Sequence, residues 1–222
     1  MYKLKKSINI KNTIDNPLDF CKKILQVELS LKQKTVLKKI YNLELSQEDQ
    51  GLLRGLIAQD SDKVICFTFL SIEEKNQITQ YILAFEIYYL LRILEKSDHI
   101  ILFYSITSEH TKKWIIIMNN FLEKLFFKTD FSCNIEENYL LIRSDWGNLQ
   151  IAFLNSNDRF YLRNHVAFIY YFDVSNFTID MLERHIHRYS PLLENQDCLL
   201  KKIIMFTDKD DLHERGVSKT RA

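Results

Sequence analysis

Val166-Ala167-Phe168-Ile169-Tyr170-Tyr171-Phe172-Asp173 decides the fold. Apolar residues follow one another without alternation and stop at a carboxylate. A strand with one face in water alternates apolar and polar residues. An unbroken apolar run of this length fits a strand covered on both faces, as in a parallel sheet. Working outward, Ile179 to Tyr189 has helical spacing, and Leu199 to Phe206 is a further apolar run ending in Thr207-Asp208. Upstream, Tyr139 to Arg143 and Leu149 to Leu154 read as two strands around Asp145-Trp146-Gly147-Asn148, a hairpin with a glycine-containing loop. Glu109 to Phe127 reads as a helix and His99 to Tyr104 as a short buried strand. Glu73 to Glu95 is the strongest long helix, with Ile78, Ile82, Phe85, Tyr89 and Ile93 along it. Val64 to Leu70 is apolar and β-rich, and periodicity leaves it open between a buried strand and the start of a buried helix.

Nearer the amino terminus, Asn16-Pro17-Leu18-Asp19 has the form of a helix start, with Asn16 as cap and Pro17 in the first turn. Leu31 to Tyr41 is a second helix, with Val36, Leu37, Ile40 and Tyr41 as its apolar stripe. Strand and helix then alternate, which predicts an α/β fold: a mostly parallel sheet with helices on both faces. The expected organisation is an N-terminal helical segment over residues 1–50, an α/β core over 51–207 and a loose charged tail over 208–222. In such a fold ligands lie at the carboxyl ends of the strands.

With 46% hydrophobic residues among 222, the chain can bury one sizeable core. A net charge of +1 predicts no strong generic pull toward nucleic acid or membrane. The charge is uneven: residues 1–40 hold ten Lys against Asp15, Asp19 and Glu28, a local +7 that suits either a polyanion-facing surface or a solvated helical face. Cys21, Cys66, Cys133 and Cys198 are scattered without zinc spacing, so reduced thiols are the expectation. Tyr81 to Leu94 is broken by Glu86 and Arg92 and is too short to span a bilayer. The opening residues lack the apolar core of a secretory signal. Four glycines in all leave little material for a loop that wraps phosphate with backbone N–H groups.

The chemistry candidates follow from these elements. An apolar strand delivering Asp173 at its end has the Walker B layout, in which the carboxylate holds the water shell of a phosphate-bound Mg²⁺; the bland alternative is a turn or helix cap. A hydrolytic site usually places Glu next, to orient water, and here Val174 stands there. No window matches the phosphate loop G-x-x-x-x-G-K-[ST]. The nearest, Ile57 to Val64, keeps Ser61 and Lys63 but puts Asp60 and Asp62 where phosphate would lie, and by itself reads as a surface loop. His185 and His187, two apart on a helix, face different sides and make a poor metal pair. Asp208, Asp210 and Asp211 could hold Mg²⁺ as in a nuclease, or form a solvated terminal turn.

Taken in order, the elements resemble the N-terminal ATPase domain of phage terminase large subunits, over about residues 15–210. In that family a stretch like Asn16 to Cys21 opens a helix, and a short segment follows that ends in a glutamine contacting adenine; Gln33 falls on it. Gln59-Asp60-Ser61-Asp62-Lys63-Val64 lies where the family has R-R-S-G-K-T, keeping the lysine and losing both arginines, the glycine and the hydroxyl. The Walker B strand falls on Phe168 to Asp173, with Val174 in place of the catalytic Glu, so no catalytic residue is assigned. The coupling motif falls on Ile203 to Thr207. The family's nuclease domain has no counterpart in these residues.

The resemblance implies a packaging protein in the cytoplasm of a bacterial host, with ATP and Mg²⁺ as cofactors if the site survives. Lys63 and Ser61 would then face phosphate, Gln33 adenine and Asp173 the metal. Implied partners are double-stranded DNA, a portal ring, a small terminase subunit and further copies of the chain, with no membrane. The lost motif residues imply weak or absent hydrolysis. A non-catalytic DNA- or protein-interaction module on the same scaffold is the alternative, and a Mg²⁺-dependent nuclease at Asp208 to Asp211 the third reading.

Overall fold

The computed structural model describes residues 14–69, 71–90, 99–105, 108–126, 131–136, 139–144, 147–155, 165–171, 174, 179–189, 191 and 202–208. It begins as the local chemistry dictates. The Asn16 side chain accepts from the Leu18 N–H at 2.8 Å, and Pro17 opens α1 (Pro17–Phe20), which runs into a π-turn over Cys21–Leu25. Gln26 stops it in the left-handed region at φ 55°, its N–H donating to the Cys21 carbonyl. Two capping boxes then start two helices. Ser30 and Gln33 exchange side chain-to-backbone bonds at the head of α2 (Leu31–Ile40), and Ser46 and Asp49 do so at the head of α3 (Gln47–Leu56).

The sheet follows: β1 (Ile57–Asp60), β2 (Val64–Phe69), α4 (Ile72–Tyr88), β3 (His99–Ser105), α5 (Ser108–Phe126), β4 (Phe131–Glu136), β5 (Tyr139–Ser144), β6 (Gly147–Asn155), β7 (His165–Tyr171), α6 (Ile179–Tyr189) and β8 (Ile203–Asp208). Among the described residues the eight strands form one sheet in the order β1-β2-β8-β7-β3-β6-β5-β4. The five central strands, β2, β8, β7, β3 and β6, are parallel; β1 runs antiparallel at one edge, and at the other β5 runs antiparallel between β6 and β4. The ambiguous run from Val64 is therefore a strand, and the fold is the expected mostly parallel α/β sheet.

Alternation along the buried strands splits the core in two. Ile65, Phe67, Phe103, Phe153, Tyr170, Ile204 and Phe206 face α2, α3, α4 and α5 in the larger cluster. Val64, Cys66, Leu102, Tyr104, Ile169, Tyr171 and Met205 face the opposite way, toward Met181, Leu182 and Ile186 of α6. Phe20, Val36, Leu37 and Leu53 belong to the larger cluster, so α1 to α3 pack as part of the sheet's own core. α3 ends at Leu56, six residues past the expected close of the helical segment at residue 50.

Three elements depart from the sequence reading. Residues 57–60, expected as surface loop, are β1; α3 and β4 were not expected at all. Gly147 pairs with Ser144 inside the β5–β6 ladder, so the glycine sits in the strand and the link is only residues 145–146.

Candidate functional site

The chain's path singles out one place. From β2 it crosses by α4, on the face of the larger core, to β3; from β7 it crosses by α6, on the other face, to β8. The exits of β2 and β7 leave toward opposite faces, and β8 lies between them. Ligand crevices in α/β sheets open at such a switch point, beyond the carboxyl ends of the strands.

Residue 71, the start of α4, Thr207 and Val174 mark this crevice. Thr207 is fully buried near the end of β8, in register with Thr68 of β2. Val174 is buried and its N–H donates to the Phe206 carbonyl at 2.9 Å, which ties the exit of β7 to β8. Asp173 lies outside the described residues, as do Asp210 and Asp211, and of Asp208 only the backbone is described.

The head of α4 is where an anion would bind, since its free N–H groups and dipole point into the crevice. The protein occupies that position itself. Ser71 Oγ accepts from the Glu74 N–H at 3.2 Å. Glu73 and Glu74 fill the first turn, placing two carboxylates at the positive end of the helix, where they favour the helix and repel phosphate. Both are held: Lys32 Nζ meets Glu74 Oε2 at 2.7 Å, and Gln77 Nε2 donates to Glu73 Oε1 at 3.4 Å. Gln77 in turn accepts from Gln33 Nε2 at 2.9 Å.

Gln33 thus sits beside this end of α4, with both ends of its amide in use. Its Oε1 accepts from the Ser30 N–H at 2.9 Å and its Nε2 serves Gln77. Lys63 and Ser61 are at the other end of the sheet. They form the β1–β2 turn, where Ser61 Oγ accepts from the Val64 N–H at 3.1 Å, and the Lys63 carbonyl accepts from the N–H of Ile203, first residue of β8, at 2.8 Å. The length of β2 separates Lys63 from the α4 head by roughly 17 Å at the usual rise per residue. Ser61 and Lys63 are therefore not brought together with Thr207. A loop between a strand's end and a helix can wrap phosphate; a turn between antiparallel strands presents no helix head.

A different lysine lies in the head of α4. Lys75 is fully buried in the first turn of α4, one turn before Thr79, whose hydroxyl contacts the Lys75 carbonyl at 2.6 Å and the Tyr170 hydroxyl of β7. The sequence signal for this helix head is Ser71-Ile72-Glu73-Glu74, a capping signature that contains no glycine.

The α4 head offers the Ser71 hydroxyl and Lys75, but it also sets the carboxylates of Glu73 and Glu74 in its first turn, where they oppose a nucleotide phosphate. Among the described residues no group of three His, Cys, Asp or Glu gathers as a metal site. His185 packs edge-on against Tyr104 and Tyr171, which stack on each other, its Nδ1 2.9 Å from the Tyr171 hydroxyl, with burial the first cause lowering its pKa and Arg188 and Arg184 adding to it. His187 is exposed on the other side of the helix. No helix among the described residues is long and apolar enough to cross a membrane.

The sequence matches no protein-family profile, and no curated protein is similar to it. Among solved structures, the chain is similar to the large terminase ATPase domain of Thermus phage P74-26, at 10% identity and a TM-score of 0.48, over 78% of this chain and 69% of that one. A point mutant of that domain gives the same identity and TM-score over 81% and 72%. The fold assignment rests on the strand order.

Proposed function

We propose that this chain is a terminase-like protein of phage DNA packaging that acts as a non-hydrolysing interaction module. Its partners in this reading are double-stranded DNA, a portal ring and a small terminase subunit. The observation that supports it is the α4 head, closed by Ser71 and the restrained carboxylates of Glu73 and Glu74 at the switch point of an α/β sheet. Val174 in place of a water-orienting Glu agrees with it.

The test is binding of labelled duplex DNA followed by anisotropy. Binding at low salt is expected, unchanged by ATP and Mg²⁺ and falling steeply as salt rises, because phosphate contacts release counterions. Binding that requires ATP, or no binding at low salt, would count against the reading.

A second reading, weak ATP binding without turnover, is favoured by the place of Gln33 and Lys75 next to the crevice. In it Gln33 reads adenine after releasing Gln77, Asp173 holds Mg²⁺ through water, and Lys75 takes the part first given to Lys63. Nucleotide binding lost in Lys75→Ala and kept in Lys63→Ala would favour it.

A further inference from the structure

Glu86, in the second half of α4, is fully buried. The Tyr41 hydroxyl, at the end of α2, donates to its Oε1 at 2.8 Å, and its Oε2 has no hydrogen-bond partner. The walls are aromatic: Phe85 lies edge-on to Phe20 and to Tyr41, with centroids at 5.5 and 5.1 Å, and Phe20 meets Tyr88 at 5.0 Å. These contacts form the seam that seats α1 and α2 on α4. A carboxyl with one hydrogen bond in such a place is tolerated neutral and strongly disfavoured as an anion.

We propose that Glu86 is a proton-operated latch: protonated, it lets α1 and α2 seat over it, and ionised, it drives that seam open at the Tyr41 end. The other end stays tied by Lys32–Glu74 and Gln33–Gln77, so the opening pivots about the heads of α2 and α4.

The groups facing Glu86 reinforce the bias. Burial pushes its own pKa up to about 8, and the Tyr41 hydrogen bond offsets this only in part. From the π-turn, burial pushes the Cys21 thiol up to about 12. From α2, burial and then Glu86 itself hold the Tyr41 hydroxyl well above its ordinary range. Just past the end of α4, Tyr89 is raised by burial, Glu86 and Asp15, and on α4 Tyr81 is raised by burial and Cys21. From α5 and the sheet the same core receives Trp114, Ile115, Met118 and Phe103. Among the described residues no cation acts on the carboxyl.

Hydrogen exchange of the intact chain, corrected for intrinsic rates, tests the latch. Protection of residues 17–41 should fall by up to tenfold per pH unit as pH rises toward about 8, then level off, while β7 and β8 stay protected. Glu86→Gln should abolish that slope. Tyr41→Phe removes the bond that favours the anion in the closed seam, so the levelling should move to higher pH. A slope that persists in Glu86→Gln, a wild type without one, or an unmoved plateau in Tyr41→Phe would each overturn the proposal.

Discussion

Asp49 shows how much a single buried carboxylate can decide. It is 1% exposed, and its oxygens take Thr35 Oγ1 at 2.6 Å, Lys38 Nζ at 2.6 Å and the Ser46 N–H at 2.9 Å. The Lys38 bond first, then those from Thr35 and Ser46, hold its carboxyl well below the usual carboxylate range. Its stabilisation is therefore complete above the unfolded pKa of about 4 and is lost as pH falls through the depressed folded value. Asp49→Asn should cost about 2 kcal/mol at neutral pH, read from denaturant unfolding, and flatten the acid limb of stability against pH. A variant as stable as wild type at pH 7 would show the network to be idle. The two lysines give a second contrast at this scale. Lys63 is exposed in its turn, so Lys63→Ala should shift stability by no more than about 0.5 kcal/mol, whereas Lys75→Ala truncates a fully buried side chain and should lower Tm by several degrees. The sequence made Lys63 the natural choice because it follows Ser61 before an apolar run. What it could not show is that β1 pairs back on β2 and turns that run's head away from the crevice.

At the scale of elements, the head of α4 carries the functional argument. Ser71→Ala removes the cap and should cost about 1 kcal/mol, since one helix N–H is left without its partner. Replacing Glu73 and Glu74 together by Gln should weaken the helix start by a comparable amount. It should also raise the affinity of the chain for inorganic phosphate, measured by calorimetry; an affinity unchanged from wild type would mean that the carboxylates do not guard the site. Long periodic elements were legible: α6 has the bounds its spacing predicted, and α2, α5 and β3 lie within a residue of theirs. The misses have physical reasons. α3 carries Gly51 and Gly55 and little apolar repeat, and is made a helix by its Ser46–Asp49 box and by the burial of Leu53 and Leu56. β1 is four residues long, held by pairing with β2 and by the ion pairs of Asp60 with Lys39 and Lys202. β4 alternates Phe131, Cys133 and Ile135, a period-two signal that was readable and passed over.

For the whole molecule, the strand order joins residues far apart in sequence into one crevice, and no local pattern encodes that juxtaposition. The fold class was readable because burial on both faces removes alternation from β2, β3, β7 and β8; the site was not, because it depends on which strands become neighbours. The larger core makes a further prediction. Phe20, Val36, Leu37, Ile40 and Leu53 share it with Ile82, Phe85 and Ile87, so a chain beginning at residue 57 should lose cooperative thermal unfolding. A truncated chain that melts like wild type would make the helices a separable segment. The most direct test of the central claim, that the crevice is closed to phosphate, is calorimetric titration with ATP and Mg²⁺ on wild type, Lys63→Ala and Lys75→Ala. No heat beyond dilution is expected in any of the three at millimolar ATP. Saturable one-to-one binding in wild type, lost in either lysine variant, would contradict it.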